Sequence, residues 1–145
     1  FLSGALSGRL KFKVEHSPKI TSKTRIIFAI IGGMSAVHQF VSIGAHVMIS
    51  GGSLVRKDVP PYTKAGREPL SYVGINSVGL RRRGFSSEKI NEIQDIYRVL
   101  FLKNSNTTKA LDLVEAGFKP TEERDEIINF IRNSNRGVMK GFGNG

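Results

Sequence analysis

The chain has 145 residues, 39% of them hydrophobic and 23% charged, which suits one globular domain and excludes a collagenous or wholly disordered polymer. With no cysteine it has no disulfide framework, thiolate metal site or cysteine nucleophile, and its longest apolar run, Ile26–Ile31, is far short of the roughly 18 residues that cross a bilayer. Lys and Arg outnumber Asp and Glu by 22 to 12, and the net charge of +10 points to an anionic partner, with nucleic acid the first to consider.

The position of that charge turns the reading away from nucleic acid. Residues 1–30 hold six basic side chains and one acid, a net of +5, and the rest of the chain carries the other +5. Residues 1–29 are rich in Ser, Thr and Lys and read as a basic leader without sustained periodicity, expected to be poorly ordered. Such a composition fits either an organellar transit peptide or an unrelated leader on a partial chain. No Cys/His finger or aromatic RNA-binding segment occurs, so the leader alone supports only salt-sensitive, non-specific contact.

From Ile31 to Pro60 the chain has a period of six. Ile31, Val37, Ile43, Ile49 and Val55 keep that spacing over five successive positions, and small or β-branched residues (Ser35, Val41, Val47, Ser53, Val59) follow each by four. Helices repeat at three and four and simple strands at two, whereas six is the period of a hexapeptide β-helix. The aliphatic residue is expected to point into the axis, the small one to turn the corner, and Gly33, Gly44, Gly51 and Gly52 to supply positive φ at tight bends. In the left-handed form three sides close a coil, so residues 30–62 predict a stub of under two coils, truncated on its N-terminal side with unpaired edges at the top.

Val59-Pro60-Pro61-Tyr62 is expected to end the repeat, because proline donates no ladder hydrogen bond. Residues 63–79 read as an irregular connector, and residues 80–145 as a helical domain. Ser86 or Ser87 can cap a helix burying Ile90, Ile93, Tyr97, Leu100 and Phe101. A second helix spans Thr107 to Ala116 with Gly117 as its stop. A third follows Thr121, with Glu122 and Glu123 in its first turn and Ile127, Ile128, Phe130 and Ile131 inward. The glycine-rich stretch from Gly137 to Gly145 is expected to fray.

Three segments together carry a family resemblance. Ile30-Ile31-Gly32-Gly33-Met34-Ser35-Ala36-Val37-His38-Gln39-Phe40 with Ile43-Gly44-Ala45-His46-Val47-Met48, then Asp58-Val59-Pro60-Pro61-Tyr62, then Gly74-Ile75-Asn76 with Gly79-Leu80-Arg81-Arg82-Arg83-Gly84-Phe85-Ser86, closely resemble the UDP-N-acetylglucosamine O-acyltransferases of lipid A synthesis. The likeness runs from about Ile30 onward and leaves residues 1–29 unmatched. It implies a cytoplasmic homotrimer of left-handed β-helices, each followed by a C-terminal α-helical domain. It also implies transfer of a 3-hydroxyacyl group from acyl carrier protein to the 3-hydroxyl of UDP-N-acetylglucosamine, with no cofactor or metal. In that family a histidine general base acts on the sugar hydroxyl, and a backbone N–H stabilises the oxyanion. The base belongs to coils that would precede Ile31, so no residue here is assigned as catalytic and the isolated chain is expected not to turn over.

The same resemblance assigns binding residues. His38 and Gln39 match positions lining the nucleotide-sugar cleft, and Asn76, Arg82 and Arg83 match positions that contact UDP. Two guanidiniums suit a pyrophosphate through charge-assisted, bidentate hydrogen bonds. Read as a helix start, these arginines oppose the helix dipole, and a locally unfavourable arrangement points to a site. Val78 stands where some members carry an acid that contacts the ligand. Gly51 falls where the family measures acyl length, with Met48 beside the groove; a tight coil equally explains the glycine, and packing the methionine. His46 reads as an ordinary coil-surface histidine, and His16 lies in the unmatched leader. Two other classes remain: a basic anion- or nucleic-acid-binding module, and a trimerisation domain without activity.

Overall fold

A computed structural model describes residues 10–14, 27–38, 40–103 and 106–141. Their elements are β1 (Leu10–Val14), β2 (Ile27–Ile31), β3 (Ala36–Val37), β4 (Met48–Ile49), β5 (Leu54–Val55), β6 (Thr63–Gly66), β7 (Ser71–Ile75), α1 (Ser77–Arg82), α2 (Ser87–Tyr97), a π-helical turn (Arg98–Leu102), α3 (Thr107–Gly117), α4 (Glu122–Arg132) and β8 (Lys140–Gly141).

The six-residue period becomes a three-walled coil. Ile31 pairs with Ile49 and Val37 with Val55, each parallel and eighteen residues apart, three sides on from its partner. β2, β4 and β6 form one wall, β3 and β5 the second, and a bridge between Ile43 and Val59 marks the third. Ile31, Val47, Ile49, Val55 and Val59 are buried, while Val37 and Ile43 are partly buried against them. Each fully buried aliphatic side chain contributes about 1.5–3 kcal/mol of transfer free energy, and it does so only because a neighbour stacks on it.

The corners differ from the sequence expectation. Positive φ recurs at Met34 (61°), Phe40 (67°), His46 (60°) and Gly52 (74°), again six residues apart, one residue before the small position. Gly52 turns its corner as expected, but three of the four are not glycine. Gly32 and Gly44 instead permit close approach between coils. A Cβ on Gly32 would lie 2.3 Å from the Gly51 backbone nitrogen, and one on Gly44 2.4 Å from that of Pro61. Ser35 and Ser53 are buried after their corners and hydrogen-bond to one another, the Ser53 N–H donating to Ser35 Oγ at 3.2 Å.

Pro60 and Pro61 do not end the wall. β6 pairs parallel to β4, with Met48 opposite Lys64, so this coil takes sixteen residues rather than eighteen. The prolines lie between walls, where no ladder donor is required, and their carbonyls are used: Thr63 Oγ1 donates to Pro60 O at 2.7 Å and Tyr97 Oη to Pro61 O. The expected connector is in part a hairpin, β6 turning back antiparallel into β7, followed by α1.

Two further expectations are corrected. β1 lies within the expected poorly ordered leader and pairs antiparallel with all five residues of β2. The alternation Leu-Lys-Phe-Lys-Val is a short period-two signal. Gly137 to Gly141 is also held: Val138 bridges to Asp58, Met139 is buried and β8 joins β7. Asp58 anchors that return, accepting from the Ser42 N–H at 2.8 Å and from Ser134 Oγ at 2.6 Å.

The helices follow the sequence closely. Ser86, Asn106 and Thr121 cap α2, α3 and α4 by accepting from the backbone N–H three residues on. Ile90, Ile93, Tyr97, Leu100 and Phe101 are buried, as are Ile127, Ile128 and Ile131, with Phe130 partly so. Tyr72 of β7 and Tyr97 and Phe101 of the helical layer stack at centroid separations of 4.9–5.7 Å, joining sheet to helices. Among the described residues no helix is long and apolar enough to cross a membrane.

Gly44→Ala is expected to destabilise the fold by about 1–3 kcal/mol, because the new methyl meets backbone that cannot rotate away. Urea unfolding monitored by circular dichroism reads this; an unchanged midpoint would show that the coils separate more easily than their packing indicates.

Candidate functional site

The shortened coil brings two corner residues into register. Tyr62 has φ of 69° and its backbone N–H donates to Ala45 O at 2.8 Å, which seats it in the corner beside His46. The two rings stack with centroids 5.6 Å apart and planes inclined by 11°. Phe85, between α1 and α2, meets His46 edge-on at 5.2 Å and Tyr62 at 6.0 Å. Ala45, Glu122, Glu123 and Glu126 complete the lining of a cleft of about 200 Å³, and Tyr62 Oη donates to Glu126 Oε2.

α1 is fastened to this corner at both ends. At its start, Asn76 is buried; its Nδ2 donates to His46 O at 3.0 Å while Oδ1 accepts from the Gly79 N–H at 3.3 Å as the helix cap. At its end, Arg83 Nη1 lies 3.3 Å from His46 Nδ1. A guanidinium only donates, so Nδ1 accepts and the ring proton resides on Nε2. Burial first, and then the Arg83 charge, lowers the His46 pKa to about 4, which leaves the ring neutral at neutral pH. Burial also lowers the Arg83 pKa.

Arg81 and Arg82 occupy the last turn of α1 and Arg83 its C-cap. The arginines therefore sit at the negative end of a short helix dipole, where positive charge is favoured, and not at a helix start where it would be in conflict. Arg82 is exposed.

The other expected site residues fall elsewhere. His38 is exposed just after β3, its backbone N–H donating to Val55 O at 2.8 Å. Gln39 lies outside the described residues. Met48 alternates with the inward Ile49 and so faces outward from β4, and Gly51 is exposed at the next turn. A Cβ on Gly51 would stand 3.0 Å from Gly33 O, so coil packing restricts this position whatever else it does. Val78 is exposed on α1.

Asn76 and Arg83 are thus brought together, and the residue joining them is His46, which sequence reading set aside. The signal was present in the series Met34, Phe40, His46, Gly52, but it shows only once those positions are known to be corners.

A family model described as "Udp N-acetylglucosamine O-acyltransferase; Domain 2" matches residues 58–139. The chain belongs to this family. It is 40% identical over 111 residues to the acyl-[acyl-carrier-protein]–UDP-N-acetylglucosamine O-acyltransferase of Myxococcus xanthus, covering 77% of this chain and 43% of that protein. With the protein of the same name from Burkholderia orbicola it shares 43% over 117 residues, covering 78% and 45%. Among solved structures, a UDP-N-acetylglucosamine acyltransferase from Bacteroides fragilis superposes with a TM-score of 0.75 at 49% identity, over 77% of this chain and 44% of that one. The chain therefore spans less than half the length of the family members it matches.

The His46 environment gives a signed pH dependence. The unfolded chain takes up the proton near pH 6.5 and the folded protein only near 4, so stability is full above about 6.5 and falls as pH drops toward 4. Arg83, Tyr62, Glu122, Glu123 and Glu126 share this environment. His46→Gln is expected to flatten the upper part of the profile, between about pH 6.5 and 5; urea midpoints across that range check it, and an equally steep profile in the variant would exclude His46 as its source.

Proposed function

We propose that this protein takes part in transferring a 3-hydroxyacyl group from acyl carrier protein to the 3-hydroxyl of UDP-N-acetylglucosamine, the first step of lipid A synthesis. The observation that carries the reading is the family match across Asp58 to Met139, which takes in the coil exit, α1 with its arginine pair, and the helical layer. The 40% identity to a named acyltransferase extends it over 111 residues.

In this reading the described residues supply the nucleotide-sugar and acyl-binding surfaces and not the general base. Arg82 and Arg83 neutralise the diphosphate, their planar donors matching its oxygens. Asn76 holds the start of α1 in place through the hydrogen bonds given above. His38 lies beside a different corner, and it joins the arginines in one cleft when subunits pack side by side, as in a homotrimer, with Gln39 assigned to that cleft by sequence. The eighteen-residue coil is read as left-handed, of under two coils, and soluble placement in the cytoplasm fits substrates carried by a soluble protein and a nucleotide. Gly51, exposed and without a side chain, leaves room along the outer face for a long acyl chain, with Met48 at its border. The chemistry calls for no metal or cofactor, since a thioester is already activated for attack.

Calorimetric titration with UDP tests the reading. Arg82→Ala and Arg83→Ala are each expected to weaken binding about tenfold or more, the worth of one charge-assisted hydrogen bond. Equal affinity in both variants and the parent chain would remove the arginines from the site. Affinity that vanishes evenly with salt for any polyanion would favour the basic binding module instead.

A further inference from the structure

α1 has six residues, too few to hold a helical conformation or a direction unaided. Leu80 buries its middle and the Asn76 N–H donates to Tyr62 O at 2.8 Å, and in addition the side chains at both ends are fastened to one residue. The His46 backbone carbonyl receives the Asn76 amide, and the His46 ring receives Arg83. The ring is itself locked, stacked on Tyr62 and edge-on to Phe85, in a corner whose φ of 60° confines the backbone. We propose that His46 is a positioning residue for nucleotide recognition: it clamps α1 at both ends and aims its terminal arginines at the diphosphate. This rests on the assignment of Arg82 and Arg83 to UDP given above.

The residue type supports more than packing. Met34 and Phe40 occupy equivalent corners elsewhere on the coil, so a bulky apolar side chain is sterically acceptable in this conformation. Stacking on Tyr62 would be served equally by phenylalanine. What imidazole adds is an sp² acceptor for a guanidinium. An acid at the same position would hold Arg83 more tightly but cancel its charge, weakening its attraction for an anion. A neutral ring orients the guanidinium without cancelling anything. Burial beside Arg83 keeps the ring in that neutral form.

UDP titration of the 145-residue chain with His46→Leu, His46→Gln, Arg83→Ala and the His46→Leu/Arg83→Ala double variant tests this. His46→Leu is expected to weaken UDP binding about fivefold to tenfold, and to add less than about twofold once Arg83 is alanine. His46→Gln, whose amide oxygen can accept from Arg83, is expected to stay within about threefold of the parent chain. Full UDP affinity in His46→Leu alongside a loss in Arg83→Ala overturns the clamp and leaves the functional reading standing. Additive losses in the double variant overturn it too, since they place His46 outside the arginine's action. If Arg83→Ala itself leaves UDP affinity unchanged, the assignment of Arg83 to UDP fails. The contact is then judged by the imidazole ¹⁵N resonances at pH 7, which need no ligand and no leucine variant. An unprotonated Nδ1 whose shift moves on Arg83→Ala supports the clamp; a protonated Nδ1, or no movement, overturns it.

Discussion

Stacking of one coil directly on the next is the constraint from which the rest of this structure follows. Once Ile31 must lie over Ile49 and Val37 over Val55, the chain has to complete three walls and three corners in the same number of residues each time. Corner conformation is then dictated by position. Methionine, phenylalanine and histidine all accept a left-handed backbone that costs about 1–2 kcal/mol, because the stacked walls flanking each corner over-determine it. The glycines answer a different demand of the same stacking: at Gly32 and Gly44 the next coil runs where a β-carbon would be.

Shortening the final coil by two residues turns this regular scaffold into a site. Had the eighteen-residue repeat continued, residue 64 would have stood over His46. With the shorter coil it is Tyr62, an aromatic ring whose hydroxyl reaches Glu126 of α4. The helical layer docks on that same end through the Tyr97 hydroxyl on Pro61 and the Tyr72–Tyr97–Phe101 stack. Asp58 gathers the returning strand on another side of the coil. The cleft lies at the junction because the junction is where coil geometry stops repeating and unlike side chains can face each other.

Much of this was legible in the residues, and the limits follow from physics. The period of six survives in a bare sequence because each inward side chain answers to the same local rule, and the caps of α2 and α4 are similarly local. The corner was placed one residue late because burial and turning both favour small residues, while the true turn position tolerates bulky ones. Pro60-Pro61 was read as a stop because a proline's missing donor matters only if a ladder needs it, and the two lie between walls. The return of residues 137–141 to Asp58 and Tyr72 is a contact between segments some 70–80 residues apart, which no local pattern encodes. Arg82 and Arg83, which the family resemblance assigns to UDP, sit where the motif suggests a helix start but end a helix instead.

His46 shows most clearly why a site can be invisible residue by residue. Alone it is a histidine on a coil, and nothing in its neighbours Ala45 and Val47 suggests chemistry. Its importance comes from two residues thirty and thirty-seven positions away, both delivered by a helix of six residues. The helix ends carry the donors, Asn76 and Arg83, while the coil corner carries two acceptors on one residue, a carbonyl and a ring nitrogen. The helix is too short to hold its geometry alone, whereas the His46 ring is already fixed by Tyr62 and Phe85. Joined, they hold the Arg83 guanidinium in one orientation, and under the proposed reading orientation is what separates recognition of a diphosphate from mere attraction to negative charge.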